Sequence, residues 1–148
     1  MSDKDVRSYF INVISQDLLS LVVGDVISVG STRTVYRATE ASKVVKFETI
    51  ERRFQNIMEW ETWQIVKDTK YKLWFAPCVD ISPCGTILVQ KFCRDLEDRE
   101  LLDEIPAFFA DVKRENFGIF EGNVVCRDYG NTFLIDKGFN SKMKKAEW

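Results

Sequence analysis

The sequence predicts an α+β domain: a five-stranded antiparallel sheet with one main helix, followed by a short C-terminal part built around a hairpin. Three observations carry this. Residues 22–47 are rich in β-branched and alternating side chains (VVGDVISVG, TVYRAT, KVVKFE), with Gly24, Gly30 and the small polar stretch 39–42 as punctuation, which reads as a three-strand meander. Residues 51–67 carry apolar side chains at helical spacing. Residues 73–80 and 86–92 flank the turn Ser82-Pro83-Cys84-Gly85 and read as a further strand hairpin.

The chain has 148 residues, which predicts one domain with one buried core. Its 21 Lys and Arg against 23 Asp and Glu give a formal charge of -2, so no global field attracts nucleic acid or an anionic membrane, and nucleic-acid binding is disfavoured. Cys78, Cys84, Cys93 and Cys126 lack C-x-x-C spacing, and there is no histidine to complete a mixed zinc site. No segment approaches the roughly 20 apolar residues of a membrane span, and the N-terminus has no apolar run suited to export. The expectation is a cytoplasmic, reducing location with reduced thiols.

Residues 5–21 place Val6, Tyr9, Phe10, Val13, Ile14, Asp17, Leu18 and Leu21 in one stripe, an amphipathic helix expected to pack on the outside of the sheet. In the helix of residues 51–67, Phe54, Ile57, Met58 and Ile65 share a side with Glu61. Burying that carboxylate unpaired would cost several kcal/mol, so a cation is expected beside it, with Lys46 the candidate. Glu59 is the alternative should the helical phase shift, and the plain reading leaves Glu61 at the helix edge. Residues 94–104, highly charged with Leu96, Leu101 and Leu102, read as one short helix closed by Pro106. Glu121-Gly122-Asn123 then supplies a tight turn after Phe117-Gly118-Ile119-Phe120, and residues 124–128 a second strand. The last residues hold Lys137, Lys142, Lys144 and Lys145, expected as a solvated end. Trp60, Trp63, Trp74 and Trp148 either fill the core or mark an apolar patch for a protein partner.

Two motifs point to chemistry. Asp111-Val112-Lys113-Arg114-Glu115-Asn116 has the form Asp-x-Lys-x-x-Asn, and Asp128-Tyr129-Gly130 follows it in the place of an Asp-Phe-Gly triplet. Upstream, the run from Ser28 through Gly30 and Arg33 to Val35 overlays a phosphate-covering loop G-x-G-x-x-G-x-V, with serine and arginine at its first and third glycine positions, and Val44-Val45-Lys46 overlays V-A-I-K. In this order the motifs resemble those of protein-kinase-like phosphotransferases. The resemblance implies a kinase N-lobe-like part over residues 22–92, preceded by a helix in residues 1–21, and a severely truncated C-lobe over residues 93–148. It implies ATP and Mg2+ as cofactors, with Gly30, Val35, Lys46 and Glu61 around the nucleotide, Asn116 and Asp128 on the metal, Asp111 as base or hydroxyl-positioner, and Lys113 neutralising the transferred phosphoryl. Gln90, Lys91, Phe92 and Cys93 would form the adenine-binding hinge. A rival metal aspartate is Asp136, in Thr132-Phe133-Leu134-Ile135-Asp136-Lys137-Gly138. Departures from the family pattern are Phe109-Ala110 in place of His-Arg, Tyr129 in place of phenylalanine, a single helix before the catalytic-type loop, and eighteen residues after Gly130.

Three functions follow as expectations. The first is a minimal ATP- and Mg-binding phosphotransferase, with a protein among its candidate targets. The second is a catalytically weak or dead kinase-like scaffold that binds and inhibits a partner protein, similar to small kinase-like proteins of bacteriophages that act on a host system, in the host cytoplasm. The third is a small α+β domain whose acidic and amide residues only cap turns; it requires Asp111, Asn116 and Asp128 to scatter in space, whereas the kinase-like readings require them to converge with Lys46.

Overall fold

A single sheet carries the first two-thirds of the chain. The computed structural model describes residues 2–48, 54–131, 138 and 140–148. Helix α1 (Asp3–Val22) runs without a loop into β1 (Val23–Val29), followed by β2 (Arg33–Ala38) and β3 (Lys43–Glu48), then helix α2 (Gln55–Val66), then β4 (Cys78–Ile81) and β5 (Ile87–Lys91). The strands lie antiparallel in the order β1-β2-β3-β5-β4. This is the expected five-stranded sheet with its helix between the third and fourth strands. β3 is internal, paired on both sides, and buries Val44, Val45 and Lys46. Its register sets Lys46 opposite Val35 on one side and Leu88 on the other. The β1–β2 hairpin is closed by the Gly30 N–H donating to the Arg33 carbonyl at 2.8 Å. A Cβ on Gly30 would come within 3.3 Å of that same oxygen, so the one retained loop glycine has a local packing reason to be there.

Helix α1 begins with a reciprocal cap: the Asp5 carboxylate accepts from the Ser2 N–H at 2.9 Å while the Ser2 hydroxyl accepts from the Asp5 N–H at 3.3 Å. The expected packing against the sheet is not found. Val6, Tyr9, Ile11, Val13, Ile14, Leu18, Leu19 and Leu21 are exposed, and the helix is tied to the sheet at its end, where the Thr39 N–H and hydroxyl donate to the Val22 and Leu21 carbonyls.

Helix α2 buries Asn56, Glu59, Thr62 and Val66, and leaves Glu61 and Ile65 exposed. The helical phase read from the apolar residues is therefore displaced by about two positions, and Glu61 is corrected to Glu59. The buried stripe is polar over its first two turns, so hydropathy alone points to the wrong side.

Below the sheet lies an aromatic core. Phe75 stacks on Phe108 (centroids 5.8 Å apart) and contacts Phe109 (5.2 Å) and Tyr129 (5.0 Å), and Phe117 links Phe109 (5.4 Å) to Trp148 (5.2 Å). Trp60, Trp63, Trp74 and Trp148 are all partly buried against this cluster. The stretch expected as a short helix instead forms one 3₁₀ turn, Asp98–Glu100, followed by β6 (Glu104–Pro106). Glu100 spends its carboxylate on the Glu97 N–H at 2.8 Å and on Arg94 at 2.5 Å, which holds a turn rather than a helical face. The hairpin β7 (Phe117–Phe120) and β8 (Asn123–Cys126) is present as expected, with Glu121 and Gly122 both at positive φ in its turn. The chain end is not merely solvated: β9 (Met143–Lys145) pairs with β6, Lys144 donates to the Phe109 carbonyl, and the Trp148 indole donates to the Leu102 carbonyl at 2.7 Å. Among the described residues, no helix is long and apolar enough to cross a membrane.

Candidate functional site

The charged residues of the sheet, of α2 and of the β8 end meet at one point. Lys46 on β3 lies 2.8 Å from the Glu59 carboxylate and also donates to the Arg127 carbonyl. Glu59 is wholly buried; its Oε1 accepts from Arg33 at 2.7 Å and from the Tyr129 N–H at 3.1 Å. The same Arg33 nitrogen lies 2.6 Å from the Asp128 carboxylate, and its other terminal nitrogen donates to the Asn56 side chain at 3.2 Å. Asn56 in turn donates to the Lys46 and Thr86 carbonyls, both at 3.1 Å, so it fixes the start of α2 to β3 and to the turn before β5.

The electrostatics follow from that enclosure. Burial alone would raise the Glu59 carboxyl, but the charges of Arg33 and Lys46 overcome it and hold the group at about 2. Burial also works against the Arg33 guanidinium, and Glu59, Asp128 and Glu48 outweigh it to raise its pKa. Partial desolvation and the Glu59 charge push the half-exposed Asp128 carboxyl up, against the opposing pull of Lys46 and Arg33.

The catalytic-type loop is fastened to the same place by its backbone. Asn116 is buried in a 3₁₀ turn (Arg114–Asn116), its side-chain amide donates to the Asp111 carbonyl at 2.9 Å, and its own carbonyl accepts from Arg127 and Asp128. The Asp111 carboxylate and the Lys113 ammonium are exposed and 3.7 Å apart. Phe109, which stands where the family has histidine, is 1% exposed in the aromatic core, so this position works as packing.

Two cavities flank the charged cluster. One, of about 330 Å³, lies between β1, β2, β3 and the segment after β5, with Val35, Val44, Lys46, Gln90, Phe92 and Cys93 in its walls. The other, of about 370 Å³, is lined by Phe109, Asp111, Lys113, Asn116 and Tyr129. Gly30, Arg33 and Asp128 border both. Gln90 is 1% exposed, and its side-chain oxygen, itself buried, has no hydrogen-bond partner among the described residues. The N–H groups of Lys91 and Phe92 are already taken by the Pro77 and Ser42 carbonyls, each at 2.8 Å.

Of the residues the sequence singled out, Val35 and Lys46 border the first cavity, Asp111, Lys113 and Asn116 the second, and Gly30 and Asp128 both. The reading in which the acidic and amide residues scatter is not met. Glu61 does not join them. Asp136 lies outside the described residues. Two members of the cluster went unmarked by sequence reasoning: Arg33, noticed only as a lost glycine, and Asn56. For Arg33 the available signal was a charged residue in a tight hairpin one strand away from Lys46. Asn56 carried none beyond its place in the first turn of α2.

A magnesium ion, which the resemblance implies, would compete with Arg33 for the Asp128 carboxylate, whose Oδ1 Arg33 already holds at 2.6 Å. The Asn116 NH2 donates to the Asp111 carbonyl, which leaves the amide oxygen, the atom a metal would bind, outside that bond. Among the described residues, no group of three or more acidic, thiol or imidazole side chains stands together for a metal.

No protein-family model and no curated protein matches the sequence. Among solved structures, the chain is similar to the ADP-bound aminoglycoside phosphotransferase APH(2'')-Ib, at 17% identity and a TM-score of 0.44, over 59% of this chain and 33% of that chain. It is also similar to APH(2'')-IIa in a ternary complex with streptomycin and ATP, at 16% identity and a TM-score of 0.43, over 57% of this chain and 30% of that chain. The chain spans about a third of the length of these proteins.

Proposed function

We propose that the cleft binds a nucleotide, with ATP the first candidate, and that the domain is a minimal kinase-like phosphotransferase. The observation that carries this is the buried Lys46–Glu59 pair at 2.8 Å, set in the wall of a cavity that also meets Asp128 and adjoins the Asp111–Asn116 loop. A lysine held by a buried carboxylate keeps its direction, which is what recognition of a phosphate oxygen requires. Val35 and Val44 offer apolar walls to a base.

In this reading the acceptor occupies the second cavity. The bond from the terminal phosphorus to its bridging oxygen breaks, the acceptor hydroxyl oxygen bonds to phosphorus, and the hydroxyl proton passes to the Asp111 carboxylate, with Lys113 facing the transferred group. A second reading, a scaffold that binds nucleotide or a protein partner with little turnover, is favoured by one observation: Arg33 already occupies the charged corner between the cavities.

Calorimetric titration of ATP into the wild type and into Lys46→Ala and Asp128→Ala tests the binding claim. Saturable binding weakened at least about tenfold in Lys46→Ala supports it. No saturable binding by the folded wild type overturns it.

A further inference from the structure

We propose that Arg33 is the resident cation of this cleft: its guanidinium stands where a divalent ion would, so the site takes its nucleotide without divalent metal. The nucleotide half of this rests on the reading above. The cation half rests on geometry alone. One Arg33 nitrogen bridges the Glu59 and Asp128 carboxylates at 2.7 and 2.6 Å, and a second nitrogen is held by Asn56 at 3.2 Å. Two carboxylates held by one cation is the arrangement a metal makes, here built from a side chain that cannot lose its charge.

The carboxylate oxygens that face this corner already have cations: Glu59 lies against Arg33 and Lys46, and Asp128 Oδ1 against Arg33. To admit a divalent ion, the Arg33 guanidinium would have to give up its bonds to Glu59, Asp128 and Asn56, in a residue that is 6% exposed. Departure would also strand Glu59 with Lys46 as its one remaining cation, and an undercompensated buried carboxylate is expensive. Arg33 borders both cavities, so a phosphate in either would lie beside a resident positive charge. The third loop glycine is thus replaced by the group that makes the metal unnecessary.

Two measurements decide it. Mn2+ is titrated by electron paramagnetic resonance, without nucleotide, into the wild type, Arg33→Ala, Arg33→Lys, and Arg33→Ala combined with Asp128→Asn. The expected result is no binding by the wild type or Arg33→Lys, one site in Arg33→Ala, and loss of that site in the double variant. Asp128-dependent Mn2+ binding by the wild type, or a folded Arg33→Ala that gains no site, overturns the assignment. Independently of any variant, ATP is titrated into the wild type in EDTA and in Mg2+. Affinities within about threefold of each other support metal-independent binding, and a gain of more than about tenfold with Mg2+ overturns it. Absence of ATP binding in both buffers overturns the nucleotide half, while the Mn2+ titration still decides the cation.

Discussion

Glu59 and Glu61 sit two residues apart on one helix and differ completely in what surrounds them. Glu59 neutralises two buried cations, whereas Glu61 faces solvent. Glu59→Gln should destabilise the fold by about 3–5 kcal/mol in urea unfolding, because it leaves Arg33 and Lys46 undercompensated. Glu61→Gln should change stability by no more than about 0.5 kcal/mol. The same carboxylate makes stability depend on acid. Its folded pKa of about 2 lies below the ordinary carboxylate value of 4.5, so its contribution is fully present above pH 4.5 and is lost as pH falls from 4.5 toward 2. Glu59→Gln should flatten the acid limb of a pH-stability profile in that window; an unchanged limb would show that other groups set it. The lysine of this pair was legible in the sequence from its place at the end of a β-branched strand. Its partner was legible only as one of two carboxylates, because the side of α2 that enters the fold is polar and satisfied by partners from distant strands.

The strands were the most legible elements, since alternation and turn residues mark them directly in residues 22–47 and 86–92. The stretch 94–104 was not, because its charges are used in local turns and ion pairs that imitate a solvated helix. Between that stretch and β7 the backbones come close: Arg94 and Ile119 exchange both of their backbone hydrogen bonds, and a Cβ on Gly118 would meet the Arg94 carbonyl at 2.7 Å and the Cys93 Cβ at 2.9 Å. Gly118→Ala should therefore cost about 1–3 kcal/mol, read as a fall in the thermal midpoint, whereas stiffening of the unfolded chain alone would raise it. Helix α1 gives the opposite expectation. Leu18 is 57% exposed, so Leu18→Ser should move the midpoint by less than the equivalent of about 1 kcal/mol, and a large fall would mean that the helix is packed in solution.

Across the molecule, the core isolates its thiols. Burial raises the Cys78 thiol to about 12 and the Cys93 thiol to about 11, and lifts Cys126 well above its usual value, whereas Cys84 is exposed. Native protein at pH 8 should react with one equivalent of Ellman reagent quickly and with the rest only on unfolding. A second fast equivalent would mean that the core opens readily. The convergence of Lys46, Asp111, Asn116 and Asp128 was legible from motif order, since each sits on an element of the expected type. Arg33 was not, because its meaning lies in the three side chains it joins, from α2 and from beyond β8, and no local pattern records that.

The claim that this convergence is a nucleotide site is tested most directly by mapping amide chemical shifts of the labelled chain during an ATP titration. The account predicts saturating shifts at Gly30, Gln90, Cys93 and Asp128, around the two cavities, with α1 unmoved. Unchanged amides around both cavities at saturating ATP, or shifts confined to α1, would contradict it.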